Sequence, residues 1–263
     1  IRFGSDNALL VVVSNNYCDD VLPTSTDMNL YGGIYREAEL ILTEKTAVSP
    51  LYLGSDGILV HQNSVGDERV EGEAEIHLVT GGENSCVLTL DITRGFAVNG
   101  SRIPIHGVTL YHDNAISGGA LIAPDYEADL GQIRTLGANA LRSAVMPHAQ
   151  YLYDRCDELG MLVWVDAPFH RSSFLGDVAY YATPQFEQNG LQQLQEIIAQ
   201  NYNHPSVVMW GIFSRLWTRG NDVTPYLGKL NAAAHALDPS RPTVACSDQD
   251  GNINFITDLI VWR

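Results

Sequence analysis

A chain of 263 residues with 45% hydrophobic and 9% aromatic content is long enough for one large domain or two ordinary ones, and apolar enough to bury a core. Its formal charge of -16 argues against nucleic acid as a partner, because duplex binding needs a basic face that displaces counterions. No stretch approaches the roughly 20 apolar residues of a membrane span, so no membrane partner is expected either.

Of the 15 basic residues only Lys45 and Lys229 are lysines, and this arginine bias favours planar, bidentate recognition of carboxylate or phosphate. Cys18, Cys86, Cys156 and Cys246 lie far apart, with no CxxC pair and no histidine at ligand spacing. They read as buried thiols rather than as a disulfide framework or a metal site, and neither a metal nor a cofactor is expected. The sequence starts at Ile1-Arg2-Phe3 with no charged n-region or apolar h-region, so the compartment stays open between cytoplasm and periplasm or exterior.

In chain order, the apolar run 8–15 reads as a buried strand bounded by turn formers, and 38–42 as a second apolar strand. Between residues 49 and 92 short apolar runs at 57–61, 70–79 and 86–92 alternate with glycine and acidic turns. That is the pattern of an immunoglobulin-like sandwich, although shorter than the roughly 100 residues usual for one.

From Gly95 onward strands and helices alternate, the signature of parallel βαβ units. Residues 96–100 read as a hairpin lead-in and 102–110 as strand one. A helix over 124–136 opens at Pro124 and stops at Gly137; strand two covers 138–145; a helix over 149–159 stops at Gly160; strand three covers 161–167. A glutamine-rich helix runs from Pro184 to Tyr202. Strand four, 207–213, is too short for a typical helix and too continuously apolar for a half-exposed strand, so it belongs inside a parallel sheet. A helix over 224–237, strand five over 243–246 and strand six over 259–262 follow. Six strands leave an eight-stranded barrel open.

The stretch Asn203-His204-Pro205-Ser206-Val207-Val208-Met209-Trp210-Gly211-Ile212-Phe213 resembles the strand bearing the acid/base in family 2 glycoside hydrolases, the group of β-galactosidases, β-glucuronidases and β-mannosidases. Gly32-Gly33-Ile34-Tyr35-Arg36 is similar to the family motif that leads from its first domain to its second. The resemblance implies the end of a jelly-roll-like sugar-binding domain at 1–45, a partial immunoglobulin-like β-sandwich at 46–94, and a (β/α)8 TIM barrel, strands one to six only, at 95–263. It also implies that a segment is missing near 92–95 and that the nucleophilic glutamate lies beyond strand six. The implied activity is hydrolysis or binding of β-linked glycans.

The departures from the family fall at the sugar-handling positions. Where the family continues Asn-Glu, this sequence has Ser214-Arg215, and a guanidinium with a pKa above about 12 cannot exchange a proton near neutrality. Retaining glycosidases need two carboxyl groups about 5–5.5 Å apart. Tyr111 and Leu110 stand at the family's histidine and arginine places, followed by His112 and Asp113. Val145 and Met146 replace His-Tyr, while Arg142 matches. Asp166 keeps a carboxylate at the end of strand three, and Arg263 replaces an asparagine after Trp262.

Catalytic positions are thus Ser214 and the substituted Arg215. Candidate substrate contacts are Tyr111, His112, Asp113, Arg142, Asp166, Trp217, Trp262 and Arg263, with Trp217 and Trp262 placed to stack on a sugar ring. Tyr111, His112 and Asp113 adjoin along one strand and alternate faces, which argues against a metal cluster. Arg142, Arg215 and Arg263 sit near the ends of strands two, four and six, so they are expected to share one mouth, either paired internally or holding an acidic sugar. His148 is expected to cap the following helix, and His204 to order the turn into strand four. Asp166 is either a buried acceptor or a ligand contact. Three functions remain open: a carbohydrate-active enzyme of the family 2 type, a non-catalytic relative whose barrel mouth binds carbohydrate or serves assembly, and a purely structural part of a longer polypeptide. The expected partners are carbohydrate and either the remainder of the polypeptide or a second copy of the chain.

Overall fold

The computed structural model describes residues 4–16, 18, 20–23, 31–36, 38–65, 70–79, 104–170, 180, 182–216 and 220–262. Its first elements are small: β1 (Ala47–Val48), β2 (Ile58–Val65), β3 (Val70–Ile76) and β4 (Leu78–Val79). β2 and β3 form an antiparallel hairpin, and β1 pairs with β4. The described part of 46–94 therefore shows a hairpin and a two-residue pair, and a sandwich is not seen; the expected strand at 86–92 lies outside the described residues. Residues 8–15 correct the sequence reading. They form no strand, and Leu9 and Leu10 are 85% and 87% exposed. A strand exists through its neighbour's hydrogen bonds, and none among the described residues pairs with this run or with 38–42.

The rest is a single parallel sheet covered by helices. In order come β5 (Gly107–Tyr111), α1 (Ala123–Thr135), β6 (Ala140–Ala144), α2 (Gln150–Leu159), β7 (Leu162–Asp166), α3 (Pro184–Asn201), β8 (Val207–Ser214), α4 (Thr224–Leu237), β9 (Thr243–Ser247) and β10 (Leu259–Trp262), with a 3-10 turn at Asn252–Phe255 before the last strand. The six strands lie side by side in chain order, each pair parallel. Because right-handed crossovers between successive neighbours all return on the same side, the helices cover one face and the other becomes the barrel interior.

Local chemistry explains the element ends. Pro124, Pro184 and Pro225 occupy first turns, where a missing N–H costs nothing. The Thr183 hydroxyl accepts from Phe186 N, and Asp125 reaches back to Ile122 N. Gly160 ends α2 with φ 66°, the left-handed conformation that glycine adopts without penalty.

The helix-side face forms the core: Leu141, Val163, Val165, Val207, Trp210 and Ile212 from the strands meet Leu130, Leu152, Leu194 and Leu227 from the helices. Trp210 donates through Nε1 to Asp238 at 2.9 Å, and Arg241 donates to the same carboxylate at 2.8 Å. At the same end of the sheet Asn203 holds the β2–β3 hairpin, donating to Ile58 O and accepting from Val60 N. His204 lies 2.6 Å from Asp157 and 2.8 Å from Gln150, so it orders the entry to β8 as its sequence context suggested.

Candidate functional site

The C-terminal ends of the six strands, where (β/α)8 enzymes keep their chemistry, gather most of the singled-out residues. Strand register puts Arg142, Trp164 and Met209 in one row of the interior face, and Asp166 beside Gly211 in the next. Arg142 Nε and Nη2 reach Asp166 Oδ2 at 2.8 and 2.7 Å, and the guanidinium lies 4.2 Å over the Trp164 ring. A Cβ at residue 211 would collide with Asp166 Oδ1 and Trp164 Nε1, so the side-chain-free backbone there is what lets the ion pair and the indole occupy the interior.

Both partners of the pair are buried. Burial pushes the Asp166 carboxyl up to about 6, against the pull of Arg142. Burial lowers Arg142, and the Asp166 charge more than reverses it, leaving the guanidinium raised. Arg142 is thus paired with Asp166, and both are buried.

Ser214 is buried, and its N–H donates to Phe169 O at 2.9 Å. Arg215 follows with φ 47°, left-handed backbone that a residue with a Cβ adopts at a cost of about 1–2 kcal/mol. Its N–H donates to Cys246 O at 2.8 Å, and Nη2 lies 3.4 Å from His170 Nε2. The guanidinium thus meets His170, a residue that the sequence reading did not single out.

The three consecutive residues at the end of β5 diverge. Tyr111 is partly exposed; His112 is buried and shares a 3.1 Å hydrogen bond with Tyr126 of α1; Asp113 accepts from Tyr31 at 2.9 Å. His148 does not cap α2, whose N-cap is Ala149 with no side-chain cap bond. Instead it is buried edge-on against His112, ring centroids 5.0 Å apart, while its N–H donates to the Tyr153 hydroxyl. Burial and the nearby Arg36 charge lower His112 to about 4. Burial, then the His112 charge, lowers His148 to about 3, so both imidazoles are neutral near pH 7.

Trp262 is exposed at the end of the edge strand β10, while Trp217 and Arg263 lie outside the described residues. The expected convergence of three arginines reduces to Arg142, paired internally, and Arg215. Among the described residues the metal-capable group is Asp154, Asp157 and His204. It sits at the opposite end of the sheet, where Asp157 and His204 are engaged with each other.

A half-barrel of six parallel strands with charge at its C-terminal rim invites comparison with known barrels. The model of the glycosyl hydrolases family 2 TIM barrel domain matches residues 91–262. The chain belongs to glycoside hydrolase family 2. The β-glucuronidase of Bacteroides fragilis is 32% identical over an alignment that takes in 100% of this chain and 49% of that protein. Human β-glucuronidase is 30% identical over 65% of this chain and 25% of its own length. Among solved structures, the FMN-binding β-glucuronidase from Facaelibacterium prausnitzii L2-6 superposes with a TM-score of 0.83 at 25% identity, covering 95% of this chain and 49% of that one. This family 2 chain spans half or less of the length of these relatives.

Proposed function

We propose that this chain is part of a family 2 protein of carbohydrate metabolism whose barrel mouth takes a β-linked glycan bearing an acidic sugar, and that it does so without an acid/base at residue 215. The observation that carries this reading is the Arg215 guanidinium at the end of β8, where the resembled motif has a glutamate. Such a group does not transfer protons near neutrality, yet it binds a carboxylate through two parallel hydrogen bonds. Several relatives carry a uronate in their names, among them a family 2 β-galacturonidase from Eisenbergiella tayi bound to galacturonate, 25% identical over 59% of this chain and 28% of that one, TM-score 0.52. Tyr111, Arg215, Trp262 and Asp113 are the ligand contacts we assign among the described residues, and Trp217 and Arg263 are assigned to the same role from the sequence alone. Arg142 and Asp166 shape the floor, and Ser214 and His112 are buried behind it.

The domain reading extends this proposal: 1–45 as the end of a jelly-roll-like domain, 46–94 as a partial immunoglobulin-like sandwich, and 95–263 as strands one to six of the barrel. The alignment with the B. fragilis β-glucuronidase runs over 338 positions, more than the 263 residues here, which supports segments of the relative without counterpart in this chain. Leu259 and Val261 on the outer strand β10 are exposed. Such edges are covered in stable proteins, here by further polypeptide or a second copy.

The 32% identity to a β-glucuronidase favours a second reading, a hydrolase with a reassigned acid. Calorimetric titration of the whole chain with methyl β-glucuronide, methyl β-galacturonide and methyl β-galactoside tests the first. The uronides bind, the neutral glycoside binds at least tenfold more weakly, and Arg215→Ala removes the difference. Equal or absent binding of all three, unchanged in Arg215→Ala, ends the acidic-sugar reading.

A further inference from the structure

Residues 31–36 stand far from the barrel in sequence yet touch two of its loops at the mouth. Arg36 donates through Nη2 to Pro147 O at 3.1 Å and through Nη1 to His148 O at 3.4 Å, both in the connection between β6 and α2. Tyr31 donates to Asp113 Oδ1 at 2.9 Å in the neighbouring connection between β5 and α1. In that connection Asn114 and Gly118 exchange two backbone hydrogen bonds of 3.1 Å, and the Asn114 side chain accepts from Ile116 N and Ser117 N. The Tyr31 ring lies on the Gly118–Gly119 backbone so closely that a Cβ at Gly118 would meet ring atoms at 2.7 Å and one at Gly119 at 2.5 Å. Between the two contacts Tyr35 packs near both Tyr31 and His112, centroids 6.3 Å apart in each case.

We infer that this segment is a fixed wall of the barrel mouth, and that Arg36 and Tyr31 are positioning residues which hold the two adjacent loops in register and so set ligand affinity without touching ligand. Carbonyls at the end of a loop have no partner from regular structure. The guanidinium fork supplies two donors in one rigid plane to Pro147 O and His148 O, geometry that a single ammonium cannot reproduce. With the loop carbonyls held, His148 stays buried against His112, and the chain direction leaving β6 is fixed. The tyrosine does the same for β5 by sitting where only glycine leaves room. The effect on ligand rests on the uronide reading above, whereas the effect on the loops does not.

Backbone hydrogen exchange on the whole chain tests the inference, with Arg36→Ala, Arg36→Lys and Gly119→Ala compared with the parent. Arg36→Ala and Gly119→Ala each speed exchange at 113–119 and 145–149 about tenfold or more, and leave β8, β9, α3 and α4 unchanged. Arg36→Lys, with one charge but no fork, recovers part of the protection at 145–149. Unchanged loop exchange in both alanine variants overturns the inference, as does a uniform rise across the barrel, which is the signature of a purely global stability role. Titration with methyl β-glucuronide adds the functional readout: affinity falls about tenfold in Arg36→Ala with loop protection lost. Loop protection lost with affinity unchanged overturns the link to ligand, while a parent chain that binds no uronide ends the functional reading and leaves the exchange result to decide the wall.

Discussion

Arg142 and Asp166 form a buried ion pair in which two guanidinium nitrogens converge on one carboxylate oxygen, at 2.8 and 2.7 Å, beneath the mouth of the barrel. Removing one partner leaves an uncompensated charge in the interior, so Arg142→Ala and Asp166→Ala are each expected to cost about 3–5 kcal/mol. Replacing both together, Arg142→Met with Asp166→Leu, costs less than either single change. Urea unfolding with a linear extrapolation measures all three.

Gly211 makes that pair possible. Gly211→Ala places a methyl against Asp166 Oδ1 and the Trp164 indole nitrogen, atoms too confined to retreat without breaking the ion pair. We expect a loss of about 2 kcal/mol or more, and a different loss in an Arg142→Met, Asp166→Leu background, because residues in contact do not contribute additively. Comparison of the four midpoints checks the coupling.

Acid should unfold the chain above the range in which ordinary carboxylates protonate. His112 and His148 are held near 4 and 3, below the unfolded value of about 6.5. As pH falls below about 6.5 the unfolded chain therefore takes up protons that the folded one refuses, and stability drops. His148 alone accounts for roughly 4–5 kcal/mol by pH 3. Asp166, raised to about 6, acts in the opposite sense between about 6 and 4, because there the folded state holds the proton and the unfolded one does not. Unfolding free energy measured from pH 7 to 5 should decline, less steeply in His148→Gln and more steeply in Asp166→Asn.

At the far end of the sheet Asp238 accepts from Trp210, Arg241 and Ser240 while fully buried. Burial raises its carboxyl, but the Arg241 charge and then those bonds outweigh it and hold the group below the usual range. Asp238→Ala strands a buried indole N–H and part of a guanidinium, and about 3–5 kcal/mol of destabilisation is expected. Near-ultraviolet dichroism of Trp210 should change with it.

Nitrophenyl β-glucuronide and β-galactoside should show no turnover with this 263-residue chain, because position 215 holds a group that does not exchange its proton near neutrality. Loss of one essential catalytic group costs several orders of magnitude. Turnover that survives Asp113→Ala and Asp166→Ala would place the chemistry elsewhere.

The alternation of apolar runs with proline starts and glycine stops determined the six parallel strands and four helices from residue 107 onward, because short βα units are specified by local pattern and closed by local caps. The same reading failed at 8–15, where apolar composition matched a strand but the described structure offers no partner, and a strand without one has no hydrogen-bond ladder to form. Sequence also placed Ser214 and Arg215 at the end of strand four, and β8 ends at Ser214. It could not decide which charges are spent inside. Arg142 and Asp166, 24 positions apart, meet only because β6 and β7 are neighbours in register, and His148 becomes a buried partner of His112 rather than a cap because two loops fold over each other. The contacts of Arg36 and Tyr31 with the mouth span 82 to 112 positions, a separation no periodicity encodes. Through-space pairing of side chains, and with it which charges form a buried ion pair, was left to the tertiary structure, because burial sets what a charge costs and only the fold sets burial.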